Sequence, residues 1–358
     1  MDWGGQDRRV VFILGAGATR GALPHVVINR KRVKPPLNSD FFKIVETYIR
    51  ARGQTGGLAK RYSRLRNVFR NEFPTRGRWP IGMEEAFSLL YVSKDFPEIY
   101  GTRRGRRRHA GSRVEIEDFF RLTFALLTAI DRAGPGTLYD DLVNHLGPKD
   151  SLVTLNYDTL LDSALVRAGW DPTVGYGIVG GGRKVKLRWK APKKAARFAD
   201  VRLLKLHGSL NWFVRGSFDD LSVVFRKKPS QIFVTQQHRN NERSGFVRQI
   251  VPPIYGKFFG HNHWQVLWDR AHQSILGAEI IVVIGCSLVD TDFHLQGMIG
   301  HAVAARKKAG QRFRAVALVN GTKTRRKWLR LLKGSFSAKS EYPTFAAFAR
   351  KHLTKSNG

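Results

Sequence analysis

The sequence predicts a doubly wound α/β fold, a Rossmann-like parallel sheet with helices on both faces and a helical insertion after its first strand. Three observations predict it. The run Val10 to Leu14 is apolar without alternation, as a strand buried on both faces requires, and it breaks at Gly15-Ala16-Gly17-Ala18-Thr19. Further apolar runs recur at 151–155, 201–206, 278–284 and 314–319, separated by stretches of helical period. These runs end in small or polar residues: Asn156 and Asp158, His207 and Ser209, Gly285 and Ser287, and Asn320. In open α/β sheets ligands bind outside the carboxyl ends of the strands, so shared chemistry at those ends reads as a site.

Taken in order, the first element is a strand followed by a loop with no side chain larger than a methyl. Such a loop turns sharply and lets a bound group approach the backbone, while the next helix aims its N–H groups at it. The combination makes a phosphate cradle, although the dinucleotide fingerprint asks for a third glycine and an acidic residue about 20 residues on. After a basic, proline-bearing loop at 30–36, Asn38-Ser39-Asp40 offers N-caps for the amphipathic run Phe41 to Ile49. Helical period continues at 84–91 and 116–130, with no buried strand before about Gly147. Residues 38–147 therefore read as a helical insertion between residues 1–37 and 148–320, the two parts of the nucleotide-binding domain. A helix at 159–167 follows the second strand, and glycines lead into Arg183 to Arg197, a basic alternating stretch expected as an exposed hairpin. Residues 211–250 are strand-like, Val251-Pro252-Pro253 forms a rigid turn, and a helix covers 264–276. The last strand is expected at 314–319, leaving 321–358 as a basic C-terminal tail.

Composition narrows the function classes. Lys and Arg number 62 against 28 acidic residues, a formal net charge of +34, which predicts attraction to polyanions such as nucleic acid, an acidic partner or anionic nucleotides. The charge is spread along the chain, so a generally basic surface is expected rather than one groove. Its densest cluster is Arg103-Arg104-Gly105-Arg106-Arg107-Arg108-His109, a candidate nucleic-acid or partner contact. A charge of this size repels itself, so a neighbouring subunit or a partner is expected to neutralise part of it, and a homo-oligomer is expected. Cys286 is the only cysteine, which excludes internal disulfides and a four-cysteine zinc site and fits a reducing cytoplasm. No apolar run approaches the roughly 18 residues of a membrane span, so no membrane association is expected. Cys286 reads as a small buried filler, and Asp290 and Asp292 as helix N-caps rather than metal ligands with His294.

The strand-end residues also carry a family resemblance. Gly15-Ala16-Gly17-Ala18-Thr19, Thr154-Leu155-Asn156-Tyr157-Asp158, Lys205-Leu206-His207-Gly208-Ser209-Leu210-Asn211-Trp212, Gly285-Cys286-Ser287-Leu288 with Asp290 and Asp292, and Val319-Asn320 occur in the order seen in sirtuin-type NAD-binding domains. The set resembles the sirtuin-like NAD hydrolases of prokaryotic antiphage systems more than protein deacylases. Leu155 stands where deacylases carry Gln, their Asp-Phe-Arg segment has no clear equivalent, and the zinc-ribbon cysteines are absent. The resemblance implies a sirtuin-type fold without a zinc ribbon, NAD as substrate, no metal, and cleavage to nicotinamide and ADP-ribose. It implies that Gly15, Ala16, Gly17 and Thr19 hold the pyrophosphate, with Gly285 and Ser209 also lining the site. Ser287 and Asn320 would meet the adenosine half, and Asp158 would lie near the nicotinamide amide. It further implies regulation by assembly, with a HerA-type ATPase or an Argonaute-like protein as partner.

The residue types fit this chemistry. Breaking the nicotinamide–ribose bond passes through an oxocarbenium-like state that needs a held ribose and an admitted water. Asn156 offers a donor and an acceptor for a water or ribose hydroxyls, and His207 can take a proton near neutral pH. Asn156, His207 and Asp158 are thus the expected catalytic set. Two rival readings remain at this point: an NAD-dependent protein deacylase with an acyl-lysine cleft, and a non-catalytic nucleic-acid sensor using the positive charge.

Overall fold

The computed structural model describes residues 8–53, 56–71, 81–95, 109–178, 196–215, 221–223, 246–251 and 262–353. The described residues fall into two compact units, one drawn from Met1–Leu23, Asp131–Ile250 and Phe259–Gly358, the other from Pro24–Ile130 and Val251–Phe258.

The first unit is built on a six-stranded parallel sheet. Its strands are β1 (Val10–Leu14), β4 (Ser151–Thr154), β5 (Arg202–Lys205), β9 (Ile280–Ile284), β10 (Phe313–Val319) and β11 (Phe336–Tyr342). Their spatial order is β11-β10-β9-β1-β4-β5. Counted by succession within the sheet this is 6-5-4-1-2-3, the dinucleotide-binding order, with the reversal of direction between β1 and β9. Every residue of β1 and β9 is buried, as their unbroken apolar runs require. The helices around the sheet form two packed groups. One comprises α9 (Asn262–Leu276), α10 (Phe293–Lys308) and α11 (Thr322–Leu332). The other comprises α1 (Ala16–Ala22), α6 (Leu138–Asn144), α7 (Leu160–Arg167) and α12 (Phe345–His352). A doubly wound sheet needs such a layer on each face. A three-stranded antiparallel sheet, β7-β6-β8, takes β6 (Gly208–Arg215), β7 (Leu221–Val223) and β8 (Phe246–Ile250).

The sheet runs further than the sequence suggests. Residues expected as a basic tail form α11, β11 and α12, and β11 pairs in parallel with β10 from Phe313↔Phe336 to Val319↔Tyr342. β11 is an edge strand whose burial alternates, so its polar and basic positions face solvent and hide the strand from an apolar-run search.

The second unit holds the antiparallel hairpin β2 (Val26–Ile28) and β3 (Lys31–Val33), α2 (Phe41–Ala51), α3 (Gly57–Asn71), α4 (Met83–Asp95) and most of α5 (His109–Asp131). Its boundaries differ from the expected 38–147: the hairpin belongs to it, and α6 belongs to the first unit. Its core is aromatic. Phe41 stacks on Phe119 at 5.2 Å, and Phe87 meets Phe119 at 4.0 Å. The arginine cluster at 103–108 and most of the hairpin expected at 183–197 lie outside the described residues. Among the described residues no helix is long and apolar enough to cross a membrane.

Candidate active site

The strand register sets the level of the site. Leu14 pairs with Thr154, and Thr154 with Lys205; on the other side Leu14 pairs with Ile284, and Ile284 with Val319. Gly15, Leu155, Leu206, Gly285 and Asn320 each follow one of these terminal residues. Asn156 and His207 then stand two residues past the ends of neighbouring strands. The Leu210 N–H donates to the Tyr157 carbonyl at 3.0 Å, tying the start of β6 to the segment that carries Asn156.

The glycines meet each other first. The Gly17 N–H donates to the Gly285 carbonyl at 3.0 Å, and the Gly15 N–H to the Ile284 carbonyl at 3.1 Å. A Cβ on Gly15 would lie 2.7 Å from Cys286 Cα, and one on Gly17 2.8 Å from Gly285 Cα. Gly285 has φ +59°, and its Cβ would lie 2.0 Å from the Ala18 nitrogen. The small residues are therefore demanded by two strand-end loops packing backbone to backbone at the reversal point, beyond any demand from a bound group. Ala16 and Ser287 are exposed beside these glycines. Leu288, at φ +49°, continues the strained turn with its side chain buried.

Thr19, Asn156 and Asp158 form one network. The Thr19 hydroxyl donates to Asp158 Oδ2 at 2.8 Å and accepts from Asn156 Nδ2 at 2.9 Å. With that proton used, the Tyr139 hydroxyl, 3.0 Å away, is left as donor to Thr19. Asn156 Nδ2 also donates to the Gly15 carbonyl at 2.9 Å, so both amide protons are committed and Oδ1 is the polar atom that remains. Thr19 and Asp158 are buried and their polar atoms face each other. Through these bonds they fix the glycine loop and Asn156.

Beneath this network lies charge that sequence reading did not assign. Lys205 is 1 % exposed; its ammonium donates to the Asp158 carbonyl and, at 2.9 Å, to Asp162 Oδ2. Burial raises the Asp158 pKa above the ordinary carboxylate range, opposed by the Lys205 charge. Asp131, which accepts from the Thr159 N–H and hydroxyl at 2.9 Å each, is raised well above that range by burial and by Asp158. A lysine inside an otherwise apolar run was the available signal, because a cation at that position must be paired.

His207 is buried, with Nε2 3.3 Å from Asp292 Oδ1. The Tyr157 ring centroid lies 6.4 Å from the imidazole. Asp292 was expected as a helix cap; it occupies the N-cap position of α10, but its side chain makes no capping hydrogen bond. Two further polar atoms at the strand ends are buried without a hydrogen-bond partner among the described residues, Ser209 Oγ and Asn320 Nδ2. A buried hydroxyl and a buried amide donor left unpaired each carry a desolvation cost that a polar ligand would relieve. Among the described residues no group of three or more His, Cys, Asp or Glu could hold a metal ion.

The strand order and the polar set at the carboxyl ends define a Rossmann-type α/β protein with its site at the reversal point. Residues 150–335 match the SIR2-like domain, more than half of the chain, and the chain belongs to that family. A solved structure titled "Structural Basis for the Mechanism and Regulation of Sir2 Enzymes" is similar at 13% identity, covering 93% of this chain and 86% of that one, with a TM-score of 0.30. No curated protein matches the chain. Membership of the family relates the chain to NAD-dependent chemistry.

Proposed function

We propose that this protein is an NAD+ glycohydrolase, converting NAD+ and water to nicotinamide and ADP-ribose. One observation carries the reading: an amide oxygen, Asn156 Oδ1, and a carboxylate-paired imidazole, His207, at the ends of adjacent strands beside the reversal point. Asn156 Oδ1 orients the water or a ribose hydroxyl. His207 takes a proton from the attacking water, whose oxygen bonds to the ribose C1′. The C1′–nitrogen bond electrons leave with nicotinamide and neutralise its ring charge. Ala16 and Ser287 face the pyrophosphate and adenosine, and the unpaired Ser209 hydroxyl and Asn320 amide take up ligand hydrogen bonds. Hydrolysis is favoured over deacylation by Leu155 in place of the deacylase Gln and by a single cysteine in the chain.

The setting is the depletion of NAD in antiphage defence, in the cytoplasm. Activity is held in check by homo-oligomer assembly or by a partner such as a HerA-type ATPase or an Argonaute-like protein, and the basic surface offers a contact for nucleic acid. The test is nicotinamide release from NAD+, with and without acylated peptide and with the candidate partners added. Wild type is expected to release nicotinamide without peptide. Asn156→Ala and His207→Ala are expected to lower the rate about 10²–10⁴-fold. Release only in the presence of acyl-peptide would replace this reading with deacylation.

A further inference from the structure

Asp292 stands in a place where its chemistry calls for explanation. It is 4 % exposed and sits at the N-cap of a 16-residue helix. An aspartate there ordinarily accepts the N–H of the second or third helical residue, a bond worth about 1 kcal/mol. Asp292 makes no such bond. Its backbone is fixed on both sides: its N–H donates to the Val289 carbonyl at 3.0 Å, and its carbonyl accepts from the Gln296 N–H at 3.1 Å. The Gln296 amide closes the same turn by donating to the Val289 carbonyl at 3.1 Å. A carboxylate forgoing its cap while buried requires partners of its own. His207 Nε2, at 3.3 Å, is such a partner, on an imidazole that is itself 5 % exposed.

We propose that Asp292 is a positioning residue for His207: it accepts the Nε2 proton, orients the ring, and so leaves the lone pair of the neutral imidazole on Nδ1, the nitrogen that receives the proton of the attacking water. This rests on the hydrolase reading for its consequence, but the pairing stands on the geometry alone. The placement also links the two halves of the site. Gly285, Ser287 and Asp292 lie on one segment between β9 and α10, so the loop that faces the adenosine half also carries the group that orients the base. The segment is braced from α11 as well: the Trp328 indole N–H donates to the Cys286 carbonyl at 2.8 Å, and the Lys327 ammonium to the Leu288 carbonyl at 3.4 Å.

The experiment uses the full chain with ¹⁵N-labelled histidine, His207 being assigned by its loss in His207→Gln. In wild type the neutral ring is expected to be the Nε2–H tautomer; an Nδ1–H ring would overturn the proposal. Asp292→Asn is expected to move the His207 titration midpoint to lower pH, because an anion no longer favours the imidazolium. In the same variant kcat for nicotinamide release should fall at least about tenfold, with the Kd for NAD+ within about threefold of wild type. The exposed Asp290→Asn, a control, is expected to retain wild-type rates. An unchanged midpoint together with an unchanged kcat in Asp292→Asn would overturn the assignment. Absence of nicotinamide release from wild type would count against the hydrolase reading, whereas the tautomer and the midpoint decide the pairing independently.

Discussion

At the scale of single residues, the chain repeatedly sets charged groups where water cannot reach them. Asp150, just before β4, accepts from the Val10 N–H at 3.0 Å and from the Gly147 N–H at 2.8 Å, pinning the start of β1 to the turn ahead of β4. Burial nonetheless pushes its pKa up to about 6, because two hydrogen bonds do not repay the loss of hydration. The folded state therefore holds this proton more tightly than the unfolded chain. The stability it contributes is fully present below the ordinary carboxylate range and is lost as pH rises through about 6. Asp150→Asn removes the titration. Its stability relative to wild type is expected to improve by about 3 kcal/mol between pH 3.5 and pH 7, read by urea unfolding at each pH. A difference that stays constant with pH would show that Asp150 does not titrate in this range.

At the scale of elements, the crossing of two loops controls the site. Gly285 needs both a left-handed backbone and an empty Cβ position, since the added atom would meet the Ala18 nitrogen at 2.0 Å. Gly334 has a similar φ of +69° but open space around its Cβ position. Gly334→Ala is therefore expected to cost about 1 kcal/mol for the backbone alone. Gly285→Ala should cost roughly 3 kcal/mol or more, lowering Tm by about 6–12 °C. Equal Tm values for the two variants would mean that the close packing of Gly17 on Gly285 is not what the glycine serves. The same scale shows what was readable beforehand. β1 and β9 are legible because a strand buried on both faces leaves an unbroken apolar run, and β4, β5 and β10 by shorter apolar stretches beside polar or charged residues. β11 is not, because an edge strand alternates and Phe336–Tyr342 carries Lys339 and Glu341 toward solvent. Asn156 and His207 are legible by their place at strand ends, whereas Asp292 looks like an ordinary cap until the tertiary contact with His207 is seen. The mutual hydrogen bond of Thr19 and Asp158 is a matter of rotamer that spacing does not encode.

At the scale of the molecule, the order 6-5-4-1-2-3 gathers loops from distant parts of the chain, Gly15, Asn156, His207, Gly285 and Asn320, onto one edge of one sheet. That is why residues as far apart in the chain as Gly15 and Ile284, or Gly15 and Asn156, share a hydrogen bond. A formal net charge of +34 adds a long-range attraction for a dinucleotide that carries phosphates, independent of the details of the pocket. What matters, then, is whether the dinucleotide lies along that edge. The most direct measurement is a crystal structure of the His207→Ala variant soaked with NAD+. The nicotinamide ribose is expected within about 2.6–3.2 Å of Asn156 Oδ1, directly or through one water, and the pyrophosphate beside Ala16. A dinucleotide bound away from the carboxyl ends of β1, β4 and β9, with Asn156 untouched, would contradict this placement.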